Sequence, residues 1–218
     1  MKRARVNPPV PTGDATARYE NLSHSGATWY DLMPTPANGT DNGWVAPPLW
    51  PVFDGAQTVV VGQPAKLALT GDLSFVAWAS QDVGVTGFER VMNRDPGAGN
   101  RLILSLHDIT GVPFFGIGVS GTMRSVQGPG PTNDGEWHMV VGTYDGATVA
   151  LYIDGALSAS AAFAGVGDIS GATDLDFGSQ AAAGSFLEGR IDTCRIYPRA
   201  LSPDEILRDY HAGKPAHP

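Results

Sequence analysis

Cysteine is almost missing from this sequence. Cys194 stands alone among 218 residues, so no disulfide can form within the chain and its core must hold the fold. Without an activating partner, a single cysteine reads as a small hydrophobe rather than a nucleophile. Charge is scarce as well: charged residues make up 17% of the chain and sum to −8, which excludes nucleic acid as an expected partner. The five histidines (His24, His107, His138, His211 and His217) show no metal-ligand spacing. No apolar run is long enough to cross a membrane, and "VNPPVPTGDATA" near the start is too interrupted to serve as a secretory signal. G-x-S-x-G, P-loop and dinucleotide motifs do not occur.

Glycine (28) and proline (17) are plentiful instead, as suits a turn-rich β protein. Residues 1–16 read as an extended Pro-rich arm, with Lys2, Arg3 and Arg5 in a basic cluster ahead of Pro8 and Pro9. Strands are expected at "SFVAWAS", "FERVMNR", "RLILSLH" and "FFGIGVS". Three more lie in "EWHMVVGTYDGATVALYIDGALSASAAF", joined at Asp145-Gly146 and Asp154-Gly155, where Asp-Gly predicts type I′ turns. "DLDFGS" and the stretch around Asp192 complete the set. One helix is predicted at "SPDE", with Ser202 as N-cap, Pro203 at N1 and Glu205 closing a capping box. A single domain over residues 17–212 is expected, followed by a flexible tail over 213–218.

The segment "GEWHMVVGTYDGATVALYIDG" resembles the central hairpin of laminin-G-like, concanavalin A-like jelly-roll modules, and "FLEGRIDTCRIYPRALSPDEI" resembles their closing strand and helix. "TWYDLMPTPANGT", "PVFDGAQTVVVG" and "LSFVAWA" extend the likeness toward the N-terminus. The resemblance implies an all-β sandwich of two antiparallel sheets with one short C-terminal helix. It implies little about activity, because many functions use this fold.

Strict alternation puts Asp192, Cys194 and Ile196 on one face of the closing strand, and Ile191, Thr193, Arg195 and Tyr197 on the other. A carboxylate among apolar neighbours needs a partner. The favoured partner for Asp192 is the backbone of the N-terminal lead-in near "YENLS". The alternatives are an arginine and, as the resemblance implies, calcium held by Asp192 on the closing strand. No other cofactor is expected.

For catalysis, "DLDFGSQ" offers Asp174 and Asp176 two residues apart, as in jelly-roll glycosidases. The third carboxylate of that pattern falls on Gly178 or Ser179, so no enzyme is expected and no residue is assigned as catalytic. Trp29, Tyr30, Trp44 and Trp50 lie in turn-rich segments and are candidate sugar platforms, whereas Trp78 and Trp137 read as core. The functional expectation is a non-enzymatic surface module. A phage virion component comes first, a capsid decoration or tail protein made in the cytoplasm, docking on capsid or tail subunits through Lys2, Arg3, Arg5, Pro8 and Pro9. The alternative is an extracellular, lectin-like glycan binder. The decoration reading expects self-association or docking by the arm, whereas a lectin should bind a sugar with its arm deleted.

Overall fold

The computed structural model describes residues 17–25, 28–31, 39–42, 52–63, 69–85, 87–95, 101–107, 110–119, 121–163, 174–180 and 184–217, with backbone alone through residue 42. The chain opens with β1 (Ala17–Ser25), β2 (Thr28–Asp31), β3 (Gly39–Asn42), β4 (Val52–Asp54) and β5 (Thr58–Gly62). Then come β6 (Leu73–Gln81), β7 (Glu89–Arg94), β8 (Arg101–His107), β9 (Phe114–Val119) and β10 (Thr122–Gln127). The hairpin region supplies β11 (His138–Tyr144), β12 (Thr148–Ile153) and β13 (Ala156–Ala162). Short strands β14 (Leu175–Phe177), β15 (Ser179–Gln180) and β16 (Ser185–Phe186) lead to β17 (Glu188–Tyr197). Helix α1 (Pro203–Gly213) and a 3-10 turn (Lys214–Ala216) follow.

Two antiparallel sheets form the sandwich. The front sheet runs β10-β9-β8-β7-β14-β5 and the back sheet β1-β17-β6-β11-β12-β13, with β3 and β2 bridging β5 to β1 at one side. The core between them follows from period-two alternation. Phe75, Ala77 and Ala79 of β6, Val140 of β11 and Leu151 of β12 meet Leu102 and Leu104 of β8 and Phe115 and Ile117 of β9. At Gly142 any Cβ would stand 2.2 Å from the Phe115 ring, so the central hairpin needs glycine where a facing aromatic fills the space. Cys194 lies in this core, and burial pushes its thiol up, out of reach of nucleophilic chemistry.

The back sheet is buried on its other face too. Val76, Trp78, Met139, Val141, Ala150, Tyr152 and Tyr197 form a second apolar layer, sealed by Leu201 and by Ile206 of α1. Trp78 therefore packs beneath the helix rather than between the sheets, and Trp137 is half-buried just ahead of β11. The capping box forms as expected: Ser202 Oγ accepts from Glu205 N, and Ser202 N donates to Glu205 Oε2 at 2.8 Å. Arg199 grips Glu205 at 2.9 and 3.0 Å and, as the largest cause, holds its carboxyl down at about 2.

Only one of the two Asp-Gly turns has type I′ geometry. Asp154 (φ 51°) and Gly155 (φ 82°) both take positive φ. Asp145 does not; its Oδ1 instead accepts from the backbone of Ala147 and Thr148, and the longer β11–β12 loop is held by that Asx turn.

Glu89 ties the sheets together at one end. It is 3% exposed, and its Oε2 accepts from Glu188 N at 2.6 Å. Burial raises its carboxyl to about 7 against the effect of that hydrogen bond, and the charges of Glu188 and Asp82 add to the rise. A carboxyl raised in the folded state binds its proton more tightly there than in the unfolded chain. Its contribution to stability is therefore present at low pH and is lost as pH climbs from about 4.5 to about 7. Urea unfolding should show the wild type losing about 1–2 kcal/mol over this window. Glu89→Gln should flatten that part of the slope, and an unchanged slope would sink the assignment.

Candidate functional site

The closing strand does not alternate strictly. Against β6, Ile191 pairs with Ala79 and Thr193 with Trp78, which leaves Asp192 as the extra residue of a bulge. Ile191 consequently joins Cys194 and Ile196 in the inter-sheet core. Asp192 turns to the helix side, not the core side that simple alternation assigns it. There its Oδ2 lies 2.6 Å from His217 Nε2 and accepts from Thr193 Oγ1 at 3.3 Å. His217 Nδ1 faces the Gly213 carbonyl at 2.9 Å, so acceptors meet both ring nitrogens. The imidazole stacks on Trp78 at 4.1 Å and meets the edge of Trp137 at 5.1 Å.

Among the described contacts, Asp192 is held by the C-terminal turn. β1 meets the closing strand through backbone pairing, Ala17 to Ile196 through Glu20 to Thr193. In the C-terminal segment His217 is 6% exposed and held on two sides. Among the described residues, the surroundings of Asp192 do not supply the six to eight oxygen ligands that calcium needs. Two hydrogen-bond donors occupy Oδ2, and no group of three or more His, Cys, Asp or Glu among the described residues could hold a metal.

The two arginines of the strand also find partners. Arg195, 2% exposed, grips Asp209 of α1 through contacts of 3.0 and 2.7 Å. Arg190 donates to Ser80 Oγ and to the Gly135 carbonyl, and lies 5.2 Å over the Trp137 ring. His138 clamps the neighbouring loop and turn, with Nδ1 2.8 Å from Asp154 Oδ2 and Nε2 3.2 Å from Asp134 Oδ1. Burial would lower its pKa, but the two carboxylates more than offset this and raise it.

Asp174 precedes β14 and Asp176 lies on it. Asp174 is exposed and accepts from Gln63 Nε2 at 3.1 Å. Asp176 is half-buried and raised to about 6, chiefly by burial and then by the charge of Asp174. One of the two positions where a third carboxylate would stand is filled: a Cβ on Gly178 would lie 2.0 Å from the Phe53 ring, and its φ is +75°. Next to it, Ser179 Oγ is spent on a short hydrogen bond with Thr58 Oγ1.

Trp29 and Tyr30 belong to β2, of which only the backbone is described. Trp44, Trp50 and the arm residues Lys2, Arg3, Arg5, Pro8 and Pro9 lie outside the described residues.

Sequence patterning did not single out a groove of about 480 Å³ on the helix side of the back sheet. Its floor is a grid set by strand register. Ala150 lies between Thr143 of β11 and Ser160 of β13, and Tyr152 lies between Val141 and Leu157. Ala200–Pro203 and Glu205 form the wall at the start of α1, and Asp145 and Thr148 complete the lining. Tyr152 is 7% exposed, and its hydroxyl is raised by burial and then by the charge of Asp145. The signal available in the sequence was Ala150, a small residue in a strand of large ones.

Residues 53–207 match the family model described as the concanavalin A-like lectin/glucanases superfamily. No curated protein sequence matches the chain. Among solved structures, domain 4 of AbnA, a GH43 extracellular arabinanase from Geobacillus stearothermophilus in complex with arabinotriose, is similar at 16% identity. Its TM-score is 0.63, covering 90% of this chain and 98% of that one. The binding domain of Paraclostridial Mosquitocidal Protein 1 aligns at 15% identity and TM-score 0.66, over 91% of this chain and 52% of its own. The binding domain of botulinum neurotoxin DC in complex with SialylT aligns at 13% identity and TM-score 0.68, over 92% and 51%. The chain thus spans about half the length of these toxin domains. At such identities the likeness concerns the fold.

Proposed function

The chain belongs to the concanavalin A-like lectin/glucanase superfamily, and we propose that it works there as a non-enzymatic binding module that recognises glycans through its surface. The observation carrying its non-enzymatic part is that the two positions for a third carboxylate hold Gly178, against the Phe53 ring, and Ser179, hydrogen-bonded to Thr58, neither of them an acid. Similar folds whose structures hold arabinotriose or SialylT support the ligand class. The purified chain should bind oligosaccharides in calorimetric titration without releasing reducing sugar. Retaining hydrolysis abolished by Asp174→Ala or Asp176→Ala would overturn the non-enzymatic reading.

A phage virion surface is the finer setting we propose for this module. Its support is the Pro-rich, basic composition of residues 1–16, suited to ordering on a neighbouring subunit. Removing residues 1–14 should leave the circular dichroism spectrum intact and abolish binding to virion particles. Full particle binding by the truncated chain would move the contact to the domain surface.

A further inference from the structure

We propose that the groove between the start of α1 and β11, β12 and β13 is a ligand site, and that its ligand is the ring of a neutral sugar. The inference rests on the glycan-binding reading above and adds its location and chemical class.

Shape is the first argument. Across β11–β12–β13 one row reads Thr143, Ala150, Ser160 and the next Val141, Tyr152, Leu157. Ala150 contributes only a methyl to a layer otherwise built of Tyr152, Val141 and Met139, so the surface sinks there. The helix start stands over the depression and makes it a groove of about 480 Å³, within the ~300–1,000 Å³ of small-ligand sites.

The second argument is unspent polar capacity. Thr143 and Tyr152 are both more than nine-tenths buried as residues and both line the groove, and neither hydroxyl makes a hydrogen bond to the described residues. Both oxygens keep contact with solvent, so a ligand hydroxyl can take the place of water there. Two converging on one depression are suited to a ligand rich in hydroxyl groups. Ser160 and Thr148 widen the set, while Leu157, 58% exposed, offers an apolar contact for the C–H face of a ring.

Charge then selects among sugars. Among the described residues no Lys, Arg or His lines the groove, and its charged members are Asp145 and Glu205. An acidic sugar would face two carboxylates, and the cation beside them, Arg199, is already paired with Glu205 and does not line the groove. A cationic ligand is poorly served as well. Glu205 is engaged by Arg199 and Ser202, and Asp145 Oδ1 by two backbone N–H groups. A neutral polyol matches hydroxyls and partly spent carboxylates without burying an unpaired charge.

The test titrates the full chain with arabinotriose, maltotriose and N-acetylchitotriose, and with acidic 3′-sialyllactose. The wild type should bind at least one neutral trisaccharide and bind sialyllactose more weakly than that one. Ala150→Leu fills the floor and should abolish binding. Tyr152→Phe removes only the hydroxyl, and should weaken binding about 2–10-fold with the melting temperature nearly unchanged. This second variant keeps the test decisive if Ala150→Leu disturbs packing. Wild-type affinity retained in both variants would put the glycan elsewhere, overturning this site while leaving the module's function intact. Preference for sialyllactose would overturn the neutral class. Failure of the wild type to bind any of the four would count against both the site and the glycan-binding function.

Discussion

Asp209→Ala is expected to cost the fold about 3–5 kcal/mol, measured by urea unfolding. The residue sits on α1 with 1% exposure and meets Arg195, itself 2% exposed, in a two-pronged ion pair. Removing the carboxylate takes from a buried guanidinium the counter-charge it meets between helix and sheet. The magnitude comes from that lost compensation rather than from the attraction of the pair, since desolvating both ions consumes most of their mutual energy. A second variant separates these contributions: Arg195→Met with Asp209→Leu removes both charges and keeps apolar volume in place. It should recover most of the loss, because the pair lies beside an apolar layer of Val76, Tyr197 and Ile206. If the double variant is as unstable as Asp209→Ala, the pair contributes directly and the desolvation argument fails.

The contrast between Arg195 and Asp192 shows what the sequence could tell and what it could not. Alternation correctly put Arg195 and Tyr197 on one face, because β17 and β6 run in regular register from Thr193 to Tyr197. It failed at Asp192, because a bulge shifts every earlier residue to the opposite side, and a bulge leaves no mark in hydrophobic patterning. β6 through β9 and the β11–β13 hairpins were legible from their apolar alternation, as was the capped start of α1. β10 was not, since five of the six residues in "TMRSVQ" are exposed or half-buried and carry no clean period. Asp145-Gly146 suggested the same turn as Asp154-Gly155, yet an Asx hydrogen bond decided its geometry. The groove was invisible for a different reason: Thr143, Ala150 and Ser160 come from three strands, and only strand register makes them neighbours. His217 followed a Gly-Lys-Pro sequence that reads as a tail, and its role depends on an indole and a carboxylate far away in the chain.

Asp192→Ala should lower stability by about 3 kcal/mol, with EDTA leaving the wild-type melting temperature unchanged. The carboxylate has 0% exposure and meets His217 Nε2 at 2.6 Å; the imidazole lies flat on Trp78, and the backbone of Gly213 comes close enough that a Cβ there would collide with the same indole. These contacts fix the end of α1 to the closing strand, which runs between β1 and β6 in the back sheet. Loss of the carboxylate leaves a buried imidazole nitrogen without its acceptor, and loss of His217 leaves a buried carboxylate short of its donor. Asp192→Ala and His217→Ala should therefore be similarly destabilising, and the double variant should lose much less than their sum, as expected for two groups in direct contact. Asp192→Asn retains an oxygen acceptor at the same position and should fall between wild type and Asp192→Ala. A metal tether behaves differently: EDTA would lower the wild-type melting temperature, and Asp192→Asn would be insensitive to it. Full additivity of the two alanine changes would overturn the pairing, and a calcium-dependent melting temperature would replace the hydrogen-bonded tether with an ionic one.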